Sequence, residues 1–394
     1  MEPVYIVDVL RTPVGKAPRG VFKHTLPDDL LAQTIKCLKT RHNSIDWENL
    51  GDIVIGCAMP EAEQGMNVAR IAALLADIPN SVPAMTINRF CSSGVQSIAT
   101  AANSIATGNI SLALAGGVES MSLVPLGGNK YTVNPDIFNN EDIAIAYGMG
   151  ITAEIVAKRY NISREEQDEF AITSHMKAVN AQKLGYFNAE ICPIEIVKRQ
   201  ADLSNHEPIA INKIISEDEG PRADTSYEAI SRLKPVFAAN GTVTAGNTSQ
   251  TSDGAGIALL ANEASILKFN LKPLGRLLSF SLAGVPPEVM GIGPIVAIPQ
   301  ALKKAGLTID DLDWIELNEA FAAQTLAVIK ELNLPREKVN PLGGAIALGH
   351  PLGATGTIRT ATLLHGLKRI NKRYGMVTMC IGTGMGAAAI FEAI

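Results

Sequence analysis

Ala84-Met85-Thr86-Ile87-Asn88-Arg89-Phe90-Cys91-Ser92-Ser93-Gly94-Val95-Gln96 decides how this chain is read. Ala84 to Ile87 is a β-type run, and Val95 to Ala106 is a long stretch of small residues rich in Ala, Ser and Ile. That order predicts a strand, a tight turn and a helix whose first turn begins at Cys91. There, unpaired backbone N–H groups and the helix dipole favour negative charge. Both lower a thiol pKa, and the thiolate is the nucleophile. The competing reading is a small buried hydrophobe, because free cysteine is among the most buried residue types. One cysteine motif does not choose between them. The far end of the chain does.

The bulk properties bound the answer. At 394 residues the chain is long enough for two or three domains with sizeable cores. With 47% hydrophobic and 19% charged residues it has the balance of an ordinary α/β protein. A formal net charge of −5 gives no basic footprint for nucleic acid. The five cysteines (Cys37, Cys57, Cys91, Cys192 and Cys380) are scattered, with no C-x-x-C pair. That spacing argues against a disulfide framework and a structural zinc site, and for a reducing compartment. Met1 to Arg11 runs straight into strand-like Val4 to Val9 without a signal peptide, and no uninterrupted apolar run suggests a membrane span. Phe391-Glu392-Ala393-Ile394 is no peroxisomal tripeptide, so the expected location is cytoplasmic.

Outward from the Cys91 stretch, strands and helices alternate. Val4 to Val9 reads as a strand, Asp28 to Leu38 as an amphipathic helix, Ile53 to Gly56 as a strand and Val68 to Leu75 as a helix. Ile110 to Ala115 is an apolar strand ending in Gly116-Gly117. This rhythm predicts a parallel-rich sheet covered on both faces. Residues 118–243 change character, becoming polar, with a helix from a Ser163/Glu166 capping box to about Leu184. They read as an inserted, more exposed subdomain, in which Lys213, Arg222, Arg232 and Lys234 offer charge to a phosphate or simply face solvent. Residues 244–270 return to small residues and a strand over Gly256 to Leu260. From 271 to 394 the alternation restarts: strand Leu274 to Ala283, helix Ile295 to Ala305, strand Trp314 to Leu317, helix Ala320 to Leu332 and a final strand Met376 to Cys380. Cys91-Ser92-Ser93-Gly94 and His350-Pro351-Leu352-Gly353 each put a reactive side chain three residues before a glycine at the start of a small-residue helix. This is a weak internal echo.

Three stretches of the second half are too polar and glycine-rich for simple core: Asn318-Glu319-Ala320-Phe321-Ala322-Ala323-Gln324, Asn340 to Gly356 around Gly349-His350-Pro351, and Cys380-Ile381-Gly382-Thr383-Gly384-Met385-Gly386. Glycines let backbone N–H groups approach a ligand and form an oxyanion hole. Taken singly, each has an ordinary explanation as a turn, a capping histidine or a buried cysteine.

Together with Asn88 to Gln96, these stretches resemble the four signature blocks of the thiolase family, in order and across essentially the whole chain. The resemblance implies an α/β thiolase fold: two similar βαβαβαββ halves in a five-layered αβαβα core, with a loop domain inserted in the first half. It implies that Cys91 is the acylated nucleophile, His350 its base and Cys380 the second acid/base. A water on Asn318 with His350 would form one oxyanion hole, and the N–H groups of Cys91 and Gly382 the other. The co-substrate is coenzyme A, with no metal and no permanently bound cofactor. CoA contacts are implied at Ser249, Ala245, Gly246, Phe237, Met149, Ala320 and Phe321, with Arg222 at the nucleotide end. Partners implied are a second copy, as homodimer or homotetramer, and a hydratase/dehydrogenase subunit.

Within the family, Phe90-Cys91-Ser92-Ser93-Gly94 and Thr383 look like the degradative 3-ketoacyl-CoA type. Gly148, where the biosynthetic type often has a His that shapes the short-chain pocket, leaves room for a longer acyl chain. The alternatives are a biosynthetic acetoacetyl-CoA thiolase and a thiolase-like lipid- or CoA-binding protein without turnover. All of Cys91, Asn318, His350 and Cys380 are present, against the last. A ketoacyl synthase would carry a second His at position 380, and a generic Cys–His hydrolase leaves Asn318 and Cys380 without jobs.

Overall fold

The computed structural model describes residues 2–140, 143, 145, 147–201 and 208–394. The first half comprises β1 (Val4–Arg11), β2 (Gly15–Lys16), α1 (Pro27–Arg41), β3 (Asp52–Gly56), α2 (Val68–Leu75), β4 (Ala84–Ile87), α3 (Ser93–Ala106) and β5 (Leu112–Ser120). The inserted region holds α4 (Met149–Arg159), α5 (Arg164–Lys183), a two-stranded hairpin of β6 (Ile194–Ala201) and β7 (Pro208–Ile215), and α6 (Tyr227–Ser231). The chain rejoins the first half in β8 (Ser252–Asn262) and α7 (Glu263–Lys268). The second half is β9 (Gly275–Gly284), α8 (Gly293–Ala305), β10 (Trp314–Leu317), α9 (Ala322–Leu332), α10 (Ala345–Leu348), α11 (Leu352–Arg369), β11 (Tyr374–Ile381) and β12 (Met385–Ala393).

One sheet runs β10-β11-β12-β9-β1-β8-β5-β3-β4, and the halves meet where Tyr5 and Ile6 of β1 pair with Arg276 and Gly275 of β9. Helices α1 and α2 cover the outer face of the first half, and α8 that of the second. Between the halves lie α3 and α11, packed on each other and on strands of both. The layers are therefore helix, sheet, helix, sheet, helix, and the apolar residues divide accordingly into two outer cores and one central core. Complete burial of β5 and near-complete burial of β8 explain their unbroken apolar runs.

Five readings from the sequence change. The sheet is mixed rather than parallel-rich: β3–β4, β3–β5 and β10–β11 are parallel, but β1, β8, β9 and β12 pair antiparallel. β5 runs through Gly116-Gly117 to Ser120, because the bare backbone there lets β8 and α11 approach. β11 is not the last strand, since the small-residue run from Met385 returns as β12. Where the first half has β4, the second has only a single parallel bridge between Ile315 and Val339. Cys37 and Cys192 also form a disulfide across 155 residues of sequence, which the scattered spacing had argued against. Residue spacing is silent about which chain segments the fold brings together.

Candidate active site

The turn before α3 is held by its own side chains. Asn88 Oδ1 accepts from the Phe90 amide (2.8 Å), while its Nδ2 donates to the Ala58 carbonyl (2.9 Å). Ser93 Oγ accepts from the Arg89 amide (2.8 Å) and donates to the Phe90 carbonyl (2.7 Å). Together they fix Phe90 at φ +44°, an unusual conformation for a bulky residue. Cys91 follows in a 3₁₀ turn, Phe90–Ser92, one step ahead of the first turn of α3. It packs with Ala58 and Leu352 in a buried cluster bordered by Met59, Phe90 and Met121.

That burial overturns the expected electrostatics. It pushes the Cys91 thiol up to about 11, although the Gly382 and Cys91 amides pull the other way; nearby Glu119 adds to the rise. The amides do solvate the thiolate, as the helix-start argument required, but desolvation outweighs them.

Cys380, one residue from the end of β11, faces the same place. Its pKa is raised by burial first and then by proximity to Cys91. The oxyanion-hole candidate Gly382 lies just beyond, near Phe90 and Met149.

Asn318 immediately follows β10, its amide donating to the Thr378 carbonyl (2.9 Å) and its carbonyl accepting from Gln324 Nε2 (3.2 Å). Its side-chain Nδ2 lies 3.3 Å from His350 Nε2. Its buried Oδ1 has no hydrogen-bond partner among the described residues. An orphaned amide oxygen beside the imidazole is the polar equipment expected of a water-holding Asn. Neighbouring Glu319 is structural: its carboxylate accepts from Ser174 Oγ, Asn340 Nδ2 and the Ile346 amide.

His350 is delivered by Gly349 at φ +92°, and its amide donates to the Gln250 carbonyl (3.2 Å) and Ser252 Oγ (3.1 Å). On its far side Nδ1 lies 2.6 Å from Thr355 Oγ1. Burial, then the Arg359 charge, lowers its pKa to about 3. In the free protein Cys91 and His350 are therefore a neutral thiol and a neutral imidazole.

Several CoA candidates adjoin this centre. Met149, Ala320 and Phe321 share an apolar cluster with Cys380. Phe237 meets Phe321 edge-on, ring centroids 6.2 Å apart. The Ser249 amide donates to the Ala320 carbonyl (3.0 Å), while Gly246 packs toward Leu233 and Ile230 and Ala245 is exposed. Arg222 is exposed, and its amide donates to His175 Nδ1 (3.2 Å). Burial, then the Arg222 and Lys16 charges, brings His175 down to about 4. Arg232 and Lys234 are exposed, and Lys213 borders a groove of about 1240 Å³ with Arg19 and Lys23.

The sequence reading missed Thr355, Ser252 and Glu119. Thr355 stood inside the quoted glycine-rich stretch without a job. Glu119 had a signal, a lone acid closing an apolar strand. It accepts from the Ala58 and Gly353 amides (2.8 Å each) and the Met59 amide (3.2 Å), tying the end of β3 to the start of α11.

Comparisons with known proteins give the family. The thiolase N-terminal domain model matches residues 4–264 and the C-terminal domain model residues 271–393. A 3-ketoacyl-CoA thiolase of Bacillus subtilis is 50% identical over 393 residues, covering all of both chains. A peroxisomal 3-ketoacyl-CoA thiolase A of Mus musculus is 47% identical over 99% of this chain and 90% of its own. The crystal structure of the Bacillus anthracis acetyl-CoA acetyltransferase superposes with a TM-score of 0.90 at 38% identity, covering 100% of this chain and 99% of that one. The two domain models matched over residues 4–264 and 271–393, with relatives similar over the whole length, make the chain a member of the thiolase family.

Proposed function

We propose that the chain cleaves 3-ketoacyl-CoA with CoA, giving acetyl-CoA and an acyl-CoA shortened by two carbons. The observation that carries this is the grouping of Cys91, Cys380 and the Gly382 amide against the two segments that bear the Asn318–His350 pair: Cys91 packs on Leu352, and Cys380 clusters with Ala320 and Phe321. His350 Nε2 takes the Cys91 proton as Sγ attacks the 3-keto carbon, so no standing thiolate is needed. The C2–C3 bond then breaks. The departing enolate is stabilised by His350 and a water on Asn318, and Cys380 protonates its α-carbon. CoA gives its thiol proton to the Cys380 thiolate and attacks the acyl-Cys91 thioester, whose oxygen rests on the Cys91 and Gly382 N–H groups. His350 returns the proton to Cys91, closing the cycle.

The test is mutational. Cys91→Ala should abolish acyl transfer and covalent labelling, while Cys380→Ala should still be acylated and lose cleavage. Near-normal thiolysis by Cys380→Ala would end the proton-transfer role. The CoA contacts are proposed at Ser249, Ala245, Gly246, Phe237, Met149, Ala320 and Phe321, with Arg222 toward the nucleotide. The division into residues 1–117, 118–243, 244–270 and 271–394 remains our assignment, the second segment carrying CoA.

The degradative reading is supported by Gly148, where an added Cβ would meet no atom of the described residues within 4 Å. The biosynthetic reading is favoured by one observation, the acetyl-CoA acetyltransferase title of the superposing structure. Cleavage of four-, eight- and sixteen-carbon 3-ketoacyl-CoAs separates them: faster turnover of the long chains supports degradation in fatty-acid β-oxidation, and activity confined to acetoacetyl-CoA supports synthesis. No cleavage of any would favour a binding protein.

We also propose a homodimer, possessing the option of pairing into a tetramer. It is supported by β4 as the unpaired end of the sheet and by exposed Met66, Leu74, Leu75 and Met85 around it; sedimentation tests it. A hydratase/dehydrogenase subunit that makes the 3-ketoacyl-CoA is the proposed partner class, tested by co-purification. The proposed location is cytoplasmic, supported now only by the need for a reduced Cys91, since the disulfide removes the argument from cysteine spacing. No described helix is long and apolar enough to cross a membrane.

A further inference from the structure

We infer that Thr355 is the positioning residue that sets the tautomer of His350, leaving Nε2 bare to act as the base. This rests on the reading of His350 as the base for Cys91. The argument is one of proton counting. Helix α11 carries Thr355, Thr357, Thr360 and Thr362. Thr360 donates to the Gly356 carbonyl (2.8 Å), the usual bond of a helical threonine to the preceding turn. Thr355 makes the same bond to the Pro351 carbonyl (3.0 Å), and a hydroxyl has one proton to give. With that proton committed, its contact with His350 Nδ1 at 2.6 Å makes the oxygen the acceptor, so the imidazole proton sits on Nδ1. A neutral imidazole has only one N–H, and Nε2 is therefore an acceptor. The partner facing Nε2 agrees, since Asn318 presents its Nδ2 donor there at 3.3 Å.

All of His350, Pro351 and Thr355 are buried, so the relay is made by protein groups alone. Burial and the nearby Arg359 keep the imidazole neutral in the resting protein, which makes the choice of tautomer decisive. A nucleophile and its base need a third group to orient the base. Here a neutral hydroxyl–carbonyl pair fills the place that a carboxylate takes in a Ser-His-Asp triad. When Nε2 takes the Cys91 proton, Nδ1–H keeps its bond to Thr355, and the Pro351 carbonyl polarises that hydroxyl toward the new positive charge.

The experiment uses the full-length enzyme, ¹⁵N-histidine NMR and single-turnover acylation of Cys91 by an acyl-CoA. Wild-type His350, assigned by its loss in His350→Gln, should carry its proton on Nδ1. Thr355→Val should lose that tautomer preference and slow acylation by about 10²-fold or more, the scale of lost general-base catalysis, with KM little changed. Thr355→Ser should restore both. A wild-type proton on Nε2, or acylation by Thr355→Val at the wild-type rate, overturns the proposal. The wild-type spectrum decides even if the valine variant fails to fold. Unimpaired acylation by His350→Gln would instead overturn the base reading itself.

Discussion

At the scale of the residue, Cys91 and His350 are each pushed away from charge: the thiol up to about 11, the imidazole down to about 3, burial being the larger cause in both. A raised thiol pKa means that thiolate is scarce throughout the neutral range and grows as pH rises through the folded value. Alkylation of Cys91 by iodoacetamide in the free enzyme should therefore keep increasing beyond pH 9. A plateau by pH 8 would show a standing thiolate and reverse the mechanism. The four side chains of the site were legible because each sits in a motif whose composition no core requires. Their protonation was not, because it depends on how completely the neighbouring layers exclude water. Reading Cys91 as a helix-start thiolate counted the amides and omitted the desolvation. Thr355 was invisible for another reason: its sequence context is that of an ordinary helix threonine, and only the imidazole beside it gives it a role.

At the scale of the element, two glycines near the reactive side chains, Gly94 and Gly356, serve to let two helices touch. A Cβ on Gly94 would stand 2.7 Å from the Thr357 amide nitrogen, and one on Gly356 would run into the Val95 backbone. Helices α3 and α11 thus cross backbone to backbone, which brings the turn before one and the histidine before the other into a single site. Gly94→Ala should destabilise by about 1–3 kcal/mol, as overpacking does, and lower thiolysis further than the loss of folded protein explains. Urea unfolding and specific activity check it, and wild-type values for both would refute the crossing argument. The echo between Cys91-x-x-Gly94 and His350-x-x-Gly353 has different causes on its two sides: Gly94 faces α11, whereas a Cβ on Gly353 would meet Cys57 and Val118 near the ends of β3 and β5. Glu119 secures the same junction. Glu119→Gln offers one oxygen to the Ala58, Met59 and Gly353 amides and turns an NH₂ toward donors. Stability should fall by roughly 1–3 kcal/mol, the cost of leaving buried donors unsatisfied. Removal of the negative charge that helps raise the Cys91 pKa should also shift Cys91 alkylation to lower pH. An unmoved profile would mean that Glu119 acts by shape alone.

At the scale of the whole molecule, what the alternation of strands and helices hid was the return path of the chain. Strand polarity is not written in apolar runs, so β8 and β12, which come back antiparallel, made the sheet mixed. The middle of the inserted region is also brought to β1. There the Arg11 amide donates to the Glu190 carbonyl (2.8 Å) and the Cys192 amide to the Arg11 carbonyl (2.7 Å). The Arg11 guanidinium, fully buried, pairs with Asp218 (2.7 and 2.9 Å) and Glu190 (2.6 Å), and the Cys37–Cys192 disulfide closes over the same segment. Arg11→Met keeps most of the volume but strands two buried carboxylates. Breaking such a pair costs about 3–5 kcal/mol. Cys37→Ala, by releasing a long loop, should cost about 2–5 kcal/mol. Because both changes loosen residues 190–192, the double variant should depart from additivity by more than about 0.5 kcal/mol. Urea unfolding of the four proteins measures all of this. An Arg11→Met variant within about 0.5 kcal/mol of the parent, the range of a bland surface change, would mean that the insertion is held by its apolar contacts and that the buried charges contribute nothing to its docking.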